Sequence, residues 1–312
     1  MREIEINGVR VRPGQNVNIE ISIARLPTHT LIHLPVFIRS AKKDGPVVLI
    51  CGGIHGDEIN GVVAIKKMLE ENLFVPERGC LIFIPLVNIY GFLSNSRTLP
   101  DGRDLNRSFP GSNKGSMASR IAHILTTQIL PNIDYGIDIH TGGRMIFNYP
   151  QIRVDFKDEI GLELAKAFGP SFIINSSYID KSFRKEAFKK GKTILVFEGG
   201  ESMRLDGLAV DAVIEGTGRL LHHFGMIDAA VPGVEPRIIN ESSWLRAKIS
   251  GIFIPSVQLG DPVKKGQVLA KITDPYGQVK VHVKSTLKGF VVGLNNLPVV
   301  NAGDALVHIG KV

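Results

Sequence analysis

No stretch of this 312-residue chain approaches the ~20 apolar residues that a membrane-crossing helix needs, so no membrane role is expected. Cysteine is nearly absent. Cys51 and Cys80 both sit in apolar strand-like runs, which excludes a disulfide framework and points to buried thiols in a reducing cytosol. A clustered basic stripe is lacking as well. The 37 Lys and Arg against 30 Asp and Glu give a net charge of +7, but they are spread along the chain. A nucleic-acid partner would want a stripe or a known module, so none is expected. The surplus suits a small acidic substrate instead. The opening residues MREIEINGVRVRPGQ are charged and carry no apolar leader core, so the cytoplasm is the expected compartment.

What is present is an ordinary core-forming supply, with 44% hydrophobic residues. Residues 1 to about 40 alternate in short stretches and read as antiparallel strands. PVVLICGG, CLIFIPLVN, YGIDIH and KTILVFEGG read as buried strands. Helices are expected at 57–72, about 116–130 and about 205–225, the first with Ile59, Val62, Val63, Met68 and Leu69 on its apolar face. Buried strands alternating with helices predict an α/β fold, a mostly parallel sheet flanked by helices. After about residue 228 the composition shifts. AAVPGVEPR reads as a linker, and short glycine-broken strands follow. The expected division is therefore 1–235, an α/β domain with its leading strands, and 236–312, a small all-β domain.

Four polar clusters fall at the C-terminal ends of the expected strands, the edge where open α/β sheets bind ligands. They are His55 with Glu58, RTLPDGRDLNRSFPG (97–111), DIHTGG (138–143) and FEGGES (197–202). His55 and Glu58 lie close enough in one turn to share an ion, and His140 ends a neighbouring strand. Two histidines and a carboxylate are a common set for one zinc ion per chain, with water in the fourth position. Zinc acidifies such a water and polarises a carbonyl. Glu198 ends an apolar strand, where burial suits a general base, whereas Glu201 lies past two glycines and reads as a solvated loop residue. The long polar loop offers Arg97, Arg103 and Arg107 for an oxyanion and for a substrate carboxylate.

HGDE (55–58), VNIYGF (87–92), DLNRSFPG (104–111), DIHTGG (138–143) and FEGG (197–200), in that order, resemble the succinylglutamate desuccinylase/aspartoacylase family of the zinc carboxypeptidase superfamily. The resemblance covers about residues 45–225. It implies His55, Glu58 and His140 as zinc ligands and Asp104 as the carboxylate that orients the first histidine. It implies Asn106 and Arg107 as binders of the substrate's free carboxylate, and Glu198 as the base. Arg97 resembles the arginine that polarises the scissile carbonyl, with Arg103 as its competitor. Arg153, in NYPQIRVD, is read as a second carboxylate clamp. Residues 250–272 resemble half of a lipoyl- or biotinyl-type barrel. Its expected role is a cap that narrows the site's mouth or joins copies into a homo-oligomer, with Lys284 an ordinary surface lysine.

The reading that follows is a zinc-dependent hydrolase that cleaves an amide bond of a small N-acyl amino acid or similar carboxylate-bearing molecule. A carboxypeptidase acting on a peptide or protein tail would use the same residues. A non-catalytic metal- or carboxylate-binding protein would have no need of Glu198. A hydrolase using Cys51 as nucleophile lacks a second supporting motif.

Overall fold

The computed structural model describes residues 3–312, so Met1 and Arg2 of the leading stretch lie outside it. Strands β1 (Ile4–Ile6) and β2 (Val9–Val11) pair with each other alone. The chain then runs through β3 (Asn16–Arg25), β4 (Leu31–Ser40), β5 (Lys43–Gly52), α1 (Asn60–Glu70), β6 (Arg78–Ile84), a short α2 (Ile89–Leu93) and α3 (Met117–Ile124). It continues with β7 (Tyr135–Gly142), β8 (Ile146–Val154), α4 (Glu159–Phe168), β9 (Phe172–Asn175), α5 (Phe183–Lys189), β10 (Thr193–Glu201) and α6 (Gly207–His223). The rest is all strand: β11 (Arg237–Ile239), β12 (Glu241–Arg246), β13 (Gly251–Pro255), β14 (Pro262–Val263), β15 (Val268–Thr273), β16 (Lys280–Lys284), β17 (Gly289–Asn295), β18 (Val299–Val300) and β19 (Ala305–Lys311).

The main sheet is mixed, and its parallel part is the centre. There β6, β5, β7 and β10 run parallel in that order. β4 joins antiparallel at one side and β8 at the other. The sequence showed the central strands as unbroken apolar runs because both of their faces are covered. Val47, Leu49 and Cys51 of β5 enter one core, while Val48 and Ile50 enter the other with α1, α4 and α6. On β7 the alternation carries chemistry. Ile137 and Ile139 face the helical core, which leaves Asp138 and His140 on the opposite face.

Local rules account for several helix starts. Ser116, Asp158, Ser182 and Asp206 each accept a backbone N–H from the first turn of α3, α4, α5 and α6. One expectation is extended and one corrected. Of the face expected for α1, Met68 is fully buried and Val63 and Leu69 are half-buried against the same core, but the most deeply buried positions also include Asn60, Gly61, Ala64 and Ile65, because Gly61 lets the helix lie close on Ile139 of β7. The helix expected at 116–130 is α-helical only to Ile124. It widens over Leu125–Ile129 and tightens over Leu130–Asn132, where Pro131 stops it.

The C-terminal strands do not make one free-standing half-barrel. β13, β15, β16 and β18 form a separate four-stranded antiparallel sheet, but β17 pairs with β8, and β19 and β12 follow it. The main sheet thus continues from the central strands into the C-terminal segment, although that segment also has its own apolar cluster around Phe253, Leu269, Ile272 and Leu306. Lys284 is exposed, at the end of β16.

Candidate active site

A cavity of about 280 Å³ opens where β7 and β10 end, beside the antiparallel β8, and it is lined by His55, Glu58, Arg97, Asn106, Arg107, His140, Asn148, Arg153, Arg184, Glu198 and Trp244 among others. His55 and Glu58 come from the turn between β5 and α1. That turn is tight because Gly56 lies backbone to backbone against Gly91. A β-carbon on residue 56 would overlap the Gly91 carbonyl carbon. Asn88 shapes the opposing turn by accepting the Gly91 N–H at 2.8 Å. The two motif glycines therefore serve one close approach.

His55 Nδ1 lies 2.7 Å from Glu58 Oε1, and His140 Nδ1 lies 2.8 Å from Glu58 Oε2. The two Nδ1 atoms are 3.2 Å apart. Each ring's other nitrogen is held by a carboxylate: His55 Nε2 by Asp104 at 3.2 Å, His140 Nε2 by Asp138 at 2.9 Å. Ionised carboxylates only accept, so these contacts keep a proton on each Nε2 and turn each Nδ1 inward. The ligand atoms of His55, Glu58 and His140 all lie within 4.8 Å of one another, a group that could hold a metal ion.

The electrostatics match that use. Burial pulls the His55 pKa down, but the Glu58 charge and the Asp104 hydrogen bond outweigh it and raise it. Burial likewise opposes the charged form of His140, yet Asp138 and Glu58 raise its pKa well above the ordinary histidine value. Burial would raise Glu58, but the two histidines hold it well below the usual carboxylate range. The negative charge that raises both histidines is the charge that would draw a cation to their Nδ1 side.

Arg97 is held on the same group. Its Nη1 donates to Glu58 Oε1 at 3.2 Å, and its Nε and Nη2 donate to Asp104 Oδ2 at 3.2 and 3.1 Å. Asn106 and Arg107 line the cavity, and Asn106 Oδ1 accepts the Phe183 N–H at 2.8 Å. Glu198 sits opposite His140 in the β10–β7 register. Its Oε2 accepts from Asn148 Nδ2 at 2.9 Å, and its Oε1 lies 3.2 Å from Arg153 Nη1.

Arg103 and Glu201 lie elsewhere than expected, and Arg153 has a partner that the sequence did not suggest. Arg103 is exposed and outside the cavity lining, its backbone tied to Leu99 and Asp101 in the loop turn. Arg153 lines the cavity but pairs with Glu198. Glu201 is buried, because β10 runs on through the two glycines with a register shift instead of ending there. Glu201 Oε2 accepts from Asn296 Nδ2 at 2.5 Å. Cys51 is buried with its Sγ 3.7 Å from Asp138 Oδ1, and burial followed by that carboxylate pushes its thiol pKa up, away from a nucleophile.

Sequence reasoning missed Asp138, Asn148, Arg184 and Trp244. Asp138 had a signal, since it lies two residues before His140 on the same face of a strand. Arg184 falls on the buried side of α5 beside Phe183 and Ala187. It spends its guanidinium on the carbonyls of Arg153, Ser176 and Ser177. Trp244, the single tryptophan, comes from β12, beyond the reach of any local motif.

Residues 44–224 match the family model of the succinylglutamate desuccinylase/aspartoacylase catalytic domain. The chain belongs to the succinylglutamate desuccinylase/aspartoacylase family. It is similar to the N-alpha-acetyl-L-2,4-diaminobutyric acid deacetylase of Halomonas elongata, 31% identical over 289 residues that cover 87% of this chain and 84% of that one. Among solved structures of the family, the Rhodobacter sphaeroides succinylglutamate desuccinylase/aspartoacylase superposes with a TM-score of 0.84 at 25% identity, covering 96% of each chain. The product-bound ectoine utilization protein EutE (DoeB) of Ruegeria pomeroyi shares the fold, with a TM-score of 0.85 at 24% identity over 96% of each chain. Membership places this chain among the hydrolases of amide bonds.

Proposed function

We propose that the protein is a zinc-dependent deacylase of small N-acyl amino acids, with Glu198 as the general base. The observation that carries this reading is the inward convergence of two histidine Nδ1 atoms and Glu58, in one cavity with a separately held carboxylate. His55, Glu58 and His140 hold the ion, and the donor set fits zinc: two imidazoles, one carboxylate, and both rings fixed from behind. When bound there, zinc supplies a Lewis acid that acidifies water and polarises a carbonyl.

The remaining work belongs to side chains of this chain. Glu198 accepts the proton of the attacking water and passes it to the departing amine, which needs a carboxylate held still at the cavity wall. Arg97, anchored by Glu58 and Asp104, presents a fixed cation to the oxygen that gains charge. Asn106 has its carbonyl end occupied by Phe183, so its amide Nδ2 remains as the donor. With Arg107 it grips the substrate carboxylate. Trp244 walls the cavity from the C-terminal strands, which favours a small molecule over a peptide tail.

The test is a substrate panel. Purified protein is assayed on N-acetyl, N-succinyl and related acyl amino acids, including N-acetyl-diaminobutyrate, beside peptides with varied C-terminal residues. Turnover of acyl amino acids with inert peptides is the expected result. Release of C-terminal residues from peptides would replace this reading with a carboxypeptidase.

A further inference from the structure

Asn148 is 2% exposed, and its amide is only half satisfied. Nδ2 donates to Glu198, while the buried Oδ1 has no hydrogen-bond partner among the described residues. Such an orphan costs stability, and an apolar residue of similar size would avoid it. Flipping the amide would only set an oxygen against the Glu198 carboxylate. The side chain is thus better suited to holding Glu198 than to stabilising the fold.

The backbone is shaped to the same end. β8 carries a register irregularity against β10: Glu198 faces Gln151, but Gly200 faces Asn148. The extra residue falls at Tyr149–Pro150, where a proline is tolerated because the ladder is broken. It puts Asn148 on the same face as Gln151 and Arg153, toward the cavity. On the other side, β17 places Gly293 directly opposite Asn148. A β-carbon at 293 would come within 3.1 Å of Asn148 Oδ1, 3.1 Å of His308 Cβ and 3.2 Å of the Trp244 ring. Trp244 and His308 stack with centroids 4.6 Å apart and close this space.

We propose that Asn148 is a positioning residue for Glu198, set in place by the bulge in β8 and by Gly293 of the C-terminal strand β17. The C-terminal segment thereby takes part in catalysis without touching the reacting atoms. Glu198 is held from two sides, by Arg153 on Oε1 and Asn148 on Oε2. Loss of the Asn148 hold lets the carboxylate swing, which lowers kcat more than it raises KM.

The inference rests on Glu198 being the base, and the experiment separates the two ideas. Wild type, Glu198→Gln, Asn148→Ala, Asn148→Asp and Gly293→Ala are compared as zinc-loaded full chains, on a substrate found in the panel above. Metal content and Tm are measured for each. Asn148→Ala is expected to lose ~10–100-fold in kcat, with KM little changed and metal retained. Asn148→Asp is expected to move the acidic limb of the pH profile of kcat/KM upward, because a second carboxylate beside Glu198 disfavours its ionised form. Gly293→Ala is expected to lower kcat in the same sense as Asn148→Ala. Asn148→Ala at wild-type kcat overturns the positioning role while leaving the base intact, provided Glu198→Gln is inactive. A kcat loss accompanied by lost metal or a collapsed Tm assigns Asn148 to structure and also overturns it. Full activity in Gly293→Ala removes the C-terminal strand from the proposal. An active Glu198→Gln overturns the base itself, and no wild-type turnover of any panel member overturns the hydrolase.

Discussion

His55 and His140 show how little of a site is in the side chain alone. Either imidazole could serve a core as well as a metal. The difference is made by Asp104 and Asp138, which fix one nitrogen of each ring and aim the other. Asp138→Asn keeps the shape but weakens that hold. It is expected to lower zinc affinity ~10–100-fold, measured by competition with a chelating dye. Glu198→Gln keeps the size and removes the proposed base. It is expected to cut kcat by ~10²–10⁴ while zinc content stays at the wild-type level by elemental analysis. The His55–Glu58 pair of the proposed metal site was legible in the sequence because the two residues share one turn. Arg103 and Arg97 could not be separated there, since only the folded loop puts one of them in the cavity and the other at the surface. Arg153 was legible as a cavity residue, but its pairing with Glu198 depends on strand register, which no local pattern states.

The elements that carry the site are joined by close backbone approaches. The turn holding HGDE can form only against the turn holding Gly91. Gly56→Ala is therefore expected to destabilise the fold by about 2 kcal/mol or more, read as a shift in the urea midpoint, and to weaken metal binding with it. Apolar periodicity found the central strands well because both faces of β5, β6 and β7 are covered. On α1 it found Met68, Val63 and Leu69, which pack on the core, but passed over Gly61 and Ala64, buried residues that an apolar scale hardly scores. It also ended β10 at the glycine pair. The strand instead runs on to bury Glu201 against Asn296, and that contact spans the chain from β10 to the C-terminal segment.

At the scale of the whole molecule, the sheet is what joins the two ends of the chain. The sequence pattern showed that the C-terminal segment is all strand, and we keep residues 1–235 and 236–312 as the proposed units. It did not show that β17 would continue the main sheet and bring Trp244 to the cavity, because that pairing links residues about 150 positions apart. Trp244→Ala is expected to raise KM several-fold for the best acyl amino acid, with a smaller effect on kcat. His308, stacked on Trp244, ties stability to pH. Burial first, and the nearby Arg153 charge second, push its pKa down from 6.5 to about 3. Between those values the unfolded chain binds a proton that the folded chain refuses. The contribution is whole above about 6.5 and is lost as pH falls toward 3. His308→Phe keeps the stack without the titration. Its unfolding free energy is expected to fall less steeply than wild type over that window, measured by chemical denaturation at each pH.

On the proposed reading, His55, Glu58 and His140 hold one zinc ion that the reaction requires. The most direct test is elemental analysis of the purified chain together with turnover before chelation, after chelation and after zinc is returned. The expected result is about one zinc per chain, activity lost with the metal and restored with it, and no zinc retained in a His55→Ala, His140→Ala double variant that still folds. Full activity in protein shown to be metal-free, or zinc retained by that double variant, would contradict it.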